Sequence, residues 1–283
     1  MSKILKMGYS PCPNDTFIFH ALASGAINIE PYTLNITLAD VEELNSLARA
    51  GRMDICKVSV HAAAHILNDY ILLRAGGAMG RGVGPLLLTQ EPCTIEALNG
   101  KRIAIPGRHT TANLLFNLMC REAGIQVETV EKVFDEIMPA IVSGEVDGGV
   151  VIHEGRFTFK GLGLSKVADL GKWWEDYSGL PIPLGCIAIK RSLGSEVASL
   201  INSAIRRSLT LSYVDPDQSW PYIKEHAQEM DDDVVSEHID TFVTDYSMDV
   251  GEEGEKAVSR LLLEAAQMDS IELPAGPFFI EEE

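Results

Sequence analysis

The chain lacks any apolar run approaching the ~18 residues that a membrane helix needs. Its opening residues, Met1-Ser2-Lys3-Ile4-Leu5-Lys6-Met7-Gly8, hold no apolar core of signal-peptide length, and no small-residue cleavage site follows. A soluble, cytoplasmic protein is expected. Cysteine is sparse: Cys12, Cys56, Cys93, Cys120 and Cys186 are odd in number, scattered, and nowhere spaced C-x-x-C. This argues against a disulfide frame or a structural zinc site and fits reduced thiols. Positive charge is also short, with 23 Lys and Arg against 41 Asp and Glu and a formal net charge of −18. Nucleic acid and anionic membrane surfaces are therefore not expected as partners. Any anionic ligand must be met locally, by a few cations or by helix N-termini. No low-complexity tract or fixed-period repeat is present. Gly76-Gly77-Ala78-Met79-Gly80-Arg81-Gly82-Val83-Gly84-Pro85 is glycine-rich, yet no Gly-Lys-Ser/Thr follows it and it leads into a strand. It is neither a phosphate loop nor a dinucleotide fingerprint, and reads as an irregular turn.

What is present is an alternation of strand and helix patterns over 283 residues, 46% of them hydrophobic. That length suits roughly two domains. Strands are expected over 4–10, 34–38, 54–59, 70–75 and 84–89, and helices over 16–24, 41–50 and 61–67. A second unit begins near Cys93, with strands over 102–106, 132–134 and 146–154 and helices over 112–122 and 137–142. Residues 181–189 lead the chain back, and helices over 196–213, 219–229, 234–243 and 254–266 close it. The expected fold is α/β with two lobes and largely parallel sheets: a larger, discontinuous lobe from 1–91 and 190–283, and a smaller inserted lobe from 92–189. Such a fold offers a ligand cleft between its lobes.

The strand over 146–154, Val-Asp-Gly-Gly-Val-Val-Ile-His-Glu, is small and β-branched without alternation, the pattern of a strand covered on both faces. Ligands of open α/β sheets sit beyond the carboxyl ends of such strands, which is where His153 falls. Imidazole titrates near neutral pH and can take up a proton there. Three strand-to-helix turns carry small hydroxyl or amide residues: Ser10 to Thr16, Lys57-Val58-Ser59-Val60-His61, and Gly107 to Asn113. Each alone reads as an N-cap; together they point to anion capture by backbone N–H groups. Lys57 is one of few cations beside such a turn. Trp173-Trp174 reads mainly as packing, Cys12 as a small buried residue, and His20, His65, His226 and His238 carry no assigned chemistry. His61 and His65 share a helical face, but the spacing supplies neither a third ligand nor the glutamate of the common zinc motif, so no metal site is expected.

Taken together, Ser10-Pro11-Cys12-Pro13-Asn14-Asp15-Thr16-Phe17, Lys57-Val58-Ser59, the glycine-rich segment through Leu86, Pro106-Gly107-Arg108-His109-Thr110-Thr111-Ala112, Ile152-His153-Glu154-Gly155-Arg156-Phe157-Thr158 and Gly179-Leu180-Pro181-Ile182-Pro183-Leu184-Gly185 resemble the 1,4-dihydroxy-6-naphthoate synthase family of the futalosine route to menaquinone. The resemblance runs over nearly the whole chain. It implies a periplasmic-binding-protein-like (type II) fold used as a carbon–carbon lyase, with no cofactor. The substrate would be cyclic dehypoxanthinylfutalosine, a carboxylated small molecule, split into 1,4-dihydroxy-6-naphthoate and a three-carbon fragment. It further implies His153 as proton acceptor and ligand contacts at Lys57, Val58, Ser59, Thr110, Thr111, Ala112 and Asn45. Gly155 stands where serine is expected in many relatives of that family. A cytoplasmic solute-binding or sensor protein, and the sister enzyme chorismate dehydratase, are the alternatives for such a fold. The oligomeric state is not readable.

Overall fold

The computed structural model describes residues 3–228 and 231–281. They form β1 (Lys3–Tyr9), α1 (Pro13–Ala23), β2 (Tyr32–Leu38), α2 (Val41–Arg49), β3 (Ile55–Ser59), α3 (Val60–Ala64), β4 (Tyr70–Leu72) and β5 (Ala78–Gly80). Next come β6 (Leu86–Thr89), β7 (Arg102–Ile105), α4 (Thr111–Ala123), β8 (Glu128–Glu131), α5 (Phe134–Val142), β9 (Gly148–Val151), α6 (Gly155–Thr158), β10 (Ser165–Asp169) and α7 (Leu170–Ser178). The chain then runs through β11 (Ile182–Lys190), α8 (Ser195–Val214), α9 (Pro216–His226), α10 (Asp232–Phe242), α11 (Asp245–Met248) and α12 (Gly251–Asp269). Two compact α/β units result, Met1–Gly80 with Pro183–Glu283, and Arg81–Ile182. The first boundary falls at Gly80 rather than at residue 91, because β6 pairs with β9 and β10 of the second unit.

The first unit's sheet has the order β2-β1-β3-β11-β4, with β5 joined to β11. β1 is parallel to β2 and β3, while β11 is antiparallel to β3 and β4. Its core gathers Met7, Phe19, Ile18, Ile187, Ile205 and Ile223. α1 is buried from Pro13 to Leu22, as expected of a helix apolar on most sides. It is tied to α8 by Ser208 Oγ, which donates to Ile18 O at 2.7 Å, and Ser212 Oγ, which donates to Phe17 O at 2.6 Å.

The second unit's sheet has the order β10-β6-β9-β7-β8. β9, β7 and β8 are parallel, and β6 is antiparallel to both neighbours. Both sheets are therefore mixed, not largely parallel. The antiparallel strands β6 and β11 are the ones the chain enters just after switching units. The core holds Leu88, Ala104, Ile137, Ile141 and Val151. A Cβ at Gly149 would stand 2.5 Å from Ile137 Cγ2, so Gly149 lets α5 lie directly on β9.

Several local expectations are corrected. The strand expected at 132–134 lies at Glu128–Glu131, and Phe134 opens α5, whose first turn holds Asp135 and Glu136, the acids that favour a helix start. The helix expected at 61–67 is the short α3, which ends at Ala64 before a turn. The glycine-rich segment contains β5. It also passes so close to α7 that a Cβ on Gly171 would meet Val83 O at 2.0 Å. β10 and α7 had no counterpart in the expected elements. The helix expected over 219–229 runs Pro216–His226, and Glu229 lies outside the described residues.

Candidate active site

In the first unit, β1 and β3 are adjacent and parallel, so Ser10 and Ser59 emerge at the same end of the sheet. Every residue of β3 is buried, and Lys57 is its one charge. Lys57 Nζ donates to Asp15 Oδ1 and to Gly76 O, each at 2.8 Å. Asp15 also accepts from Ser10 N at 3.1 Å, Ser10 Oγ at 2.8 Å and Asn14 Nδ2 at 3.0 Å. The pair is thus enclosed, with Lys57 8% and Asp15 2% exposed. A buried ion pair persists when its remaining hydrogen-bonding capacity is met in this way. Two consequences follow. The start of α1 is occupied by the protein's own carboxylate, which displaces the anion-capture reading of that turn. The Lys57 ammonium is committed to Asp15 and Gly76 and leaves no surplus positive charge.

Ser59 is arranged differently. Asn45, 0% exposed, accepts from Ser59 N at 2.9 Å and donates through Nδ2 to Ser59 Oγ at 3.2 Å. This two-point clamp uses an acceptor site of the hydroxyl and leaves its proton. Among the described residues that proton has no acceptor, although Ser59 is 3% exposed. A buried O–H donor in this state suits an oxygen of a ligand. Val58 pairs with Cys186 across the sheet and its side chain is interior. Burial pushes the Cys56 and Cys186 thiols up to about 12, with Lys57 opposing the shift at Cys186, and pushes Cys120 up to about 11. These three are inert protonated thiols at neutral pH. Burial and the bond to Tyr222 also push the Tyr9 hydroxyl up; the two phenol oxygens are 2.6 Å apart.

In the second unit, β7 and β9 are adjacent and parallel, in register at Ala104 and Gly149. The turn after β7 starts α4, and the residues after β9 carry His153. Both therefore lie beyond carboxyl ends of neighbouring strands, where α/β sheets bind ligands. Thr110 is the N-cap of α4: its Oγ1 donates to Gly107 O at 2.8 Å and accepts from Asn113 N at 3.2 Å. The bland capping role is thus present at Thr110. Thr111 and Ala112 open the first turn of a 13-residue helix, whose N-terminal end favours an anion.

His153 lies two residues past β9 with φ of +56°. Left-handed backbone at a non-glycine residue costs on the order of 1–2 kcal/mol. Among the described residues only Ser270, a helix C-cap, shares it. Such strain collects where a side chain must be aimed. The Phe134 ring meets the imidazole edge-on, with centroids 4.9 Å apart. Arg156 anchors the same segment, donating to Gly84 O at 2.8 Å, Gly82 O at 2.7 Å and Asp169 Oδ2 at 3.0 Å. Gly155 admits no side chain, since a Cβ would lie 2.3 Å from Val151 Cγ1. Serine at that place requires Val151 to move.

Of the residues picked from sequence, the structure brings Asn45, Lys57, Val58 and Ser59 together in the first unit, and places Thr110, Thr111, Ala112 and His153 at neighbouring strand ends in the second. Sequence reasoning missed Asp15, Phe134 and Arg156. A lone lysine inside a fully buried strand signals that a carboxylate partner exists, without telling which one. Trp174 is fully buried, with Nε1 donating to Pro181 O, while Trp173 stacks on Tyr177. His20 pairs with Ser212 Oγ and His238 with Asn14 Oδ1. His61 and His65 meet a third group absent from their local spacing, Asp269.

The family model described as "Menaquinone biosynthesis" matches residues 5–267. A 1,4-dihydroxy-6-naphthoate synthase of Thermus thermophilus is 45% identical over 98% of this chain and 99% of its own length. One from Streptomyces coelicolor is 46% identical over 93% of each chain. A crystal structure of an Archaeoglobus fulgidus protein superposes with a TM-score of 0.87 at 33% identity, covering 94% of this chain and 98% of that one. The periplasmic aliphatic sulphonate binding protein of Escherichia coli gives a TM-score of 0.67 at 11% identity over 100% of this chain and 95% of that one, a likeness of fold alone.

Proposed function

The chain belongs to the menaquinone-biosynthesis family that includes the 1,4-dihydroxy-6-naphthoate synthases, and from that premise we propose how its residues carry out that reaction. The chain is an enzyme of menaquinone biosynthesis with a periplasmic-binding-protein-like fold, a lyase that converts cyclic dehypoxanthinylfutalosine to 1,4-dihydroxy-6-naphthoate and a three-carbon fragment. His153 is the proton acceptor. Its imidazole takes a proton from a carbon of the substrate; the released electron pair enters the new aromatic system as the carbon–carbon bond breaks, and the electrons of that bond leave on the three-carbon fragment, which takes up a proton. Aromatisation supplies driving force, and the two products together keep every atom of the substrate, so no external oxidant enters.

The negative charge that develops on oxygen needs donors already in place. The Ser59 hydroxyl, held by Asn45, and the first-turn N–H groups of Thr111 and Ala112 are the donors assigned to the substrate's oxygens and carboxylate. Neutral dipoles suit a protein of net charge −18 that spends Lys57 internally. Holding the carboxylate fixes the reacting carbon relative to the base. Asn45 positions Ser59, and Thr110 positions the start of α4. Lys57 and Val58 contribute through β3, which delivers Ser59.

The observation that carries the assignment of the base is the left-handed backbone at His153 beyond β9, braced by Arg156 and Phe134. The ligand is a carboxylated small molecule, not nucleic acid or a membrane, and the enzyme works in the cytoplasm; among the described residues no helix is long and apolar enough to cross a membrane. The test is product identification by mass after incubation of the purified enzyme with cyclic dehypoxanthinylfutalosine. Appearance of the naphthoate and a three-carbon fragment is expected. Binding without turnover supports a sensor instead, and conversion of chorismate supports the sister dehydratase.

A further inference from the structure

On α3, His61, two residues after Ser59, and His65, at the helix C-cap, turn their Nε2 atoms to one oxygen. That oxygen is Asp269 Oδ2, 2.7 Å from His61 Nε2 and 2.8 Å from His65 Nε2. The ligand atoms of the three residues lie within 4.8 Å of one another. The His61 side chain is 3% exposed, that of His65 16% and that of Asp269 27%. Asp269 is the last residue of α12, so the three groups come from segments about two hundred residues apart in sequence, yet inside one compact unit.

Two imidazoles and a carboxylate converging on one point form the donor set of borderline metal ions such as zinc, with the fourth position open to water. The local His-x3-His spacing alone lacks a third ligand; tertiary structure provides it. We propose that His61, His65 and Asp269 form a divalent-cation site of zinc type that fastens the C-terminal end of α12 to α3. Bonds of about 2.0–2.1 Å in a tetrahedral site set the ligand atoms a few tenths of an ångström farther apart than hydrogen bonds do, a shift that exposed-side Asp269 can make. The ion's role is structural. It holds α3 immediately after Ser59, and it takes no part in the carbon–carbon cleavage.

The full-length protein, stripped with chelator, is titrated with Zn²⁺ alone by calorimetry, and Co²⁺ serves as a spectroscopic probe. The expected result is one equivalent bound, four-coordinate d–d absorption with Co²⁺, and a thermal midpoint that rises with zinc concentration. His65→Gln and Asp269→Asn, each checked for native circular dichroism, are expected to weaken binding by more than about a hundredfold. His65 is the less buried histidine, so at least that variant is expected to fold. Absence of saturable binding at one equivalent overturns the proposal, as does equal affinity in either folded variant, which places the ion elsewhere. In the first case the carboxylate serves only to accept two N–H bonds.

Discussion

Asp15→Asn tests the reading that Lys57 is held by a private carboxylate rather than kept for the substrate. The substitution preserves shape and removes the countercharge, leaving the Lys57 ammonium with neutral acceptors, Gly76 O and the amide oxygen at position 15. Removing one member of a buried pair costs about 3–5 kcal/mol, because the other charge stays buried and uncompensated. Denaturant titrations at pH 7, read by circular dichroism against wild type, are expected to show a deficit of about 3–5 kcal/mol. Lys57→Met is expected to cost less, since Asp15 keeps its donors from Ser10 and Asn14. A deficit below about 1 kcal/mol refutes the reading of a buried, privately paired charge.

Other outcomes follow from the same contacts. Ser59→Ala removes a hydrogen bond to a charged oxygen, worth about 1.5–3 kcal/mol, and is expected to lower kcat/KM by roughly ten- to a hundredfold in a steady-state assay. Asn45→Ala releases the Ser59 clamp; it is expected to cost about 1–3 kcal/mol of stability through the stranded Ser59 N–H. Its effect on kcat/KM should not add to that of Ser59→Ala in the double variant, and full additivity argues against a shared role. Burial lowers the His20 pKa, against the opposing hydrogen bond to the Phe17 backbone. The unfolded chain therefore takes this proton first as pH falls below about 6.5, and stability is lost in that window. His20→Gln should flatten the acid limb of a stability–pH profile, and an unchanged slope removes His20 as its source.

Much of the fold was legible because strands and helices alternate with clear periodicity: β1, α2, β3 and α4 lie within a residue or two of their expected spans. The failures have physical causes. Residues 132–134 look like a strand by composition, yet Asp135 and Glu136 favour a helix start at Phe134. β5 is only Ala78–Gly80 and gains its identity from pairing with β11, far away in sequence. The same holds for chemistry. His153 was visible from the strand before it, but its left-handed backbone was not. Thr110 was visible as a hydroxyl at a helix start, and the structure assigns that hydroxyl to Gly107 O and Asn113 N. Lys57 announced a buried charge; that its partner is Asp15, in the first turn of α1, required the packing of α1 on the sheet.

The central claim is that the imidazole at position 153 starts the reaction. Asn tolerates left-handed backbone better than most residues, so His153→Asn removes the base while keeping the local geometry. A single-turnover experiment with cyclic dehypoxanthinylfutalosine follows release of the naphthoate by absorbance and mass. Substrate affinity close to wild type and a chemical step slowed about a hundred- to ten-thousandfold are expected. Formation of the naphthoate at the wild-type rate would contradict the claim.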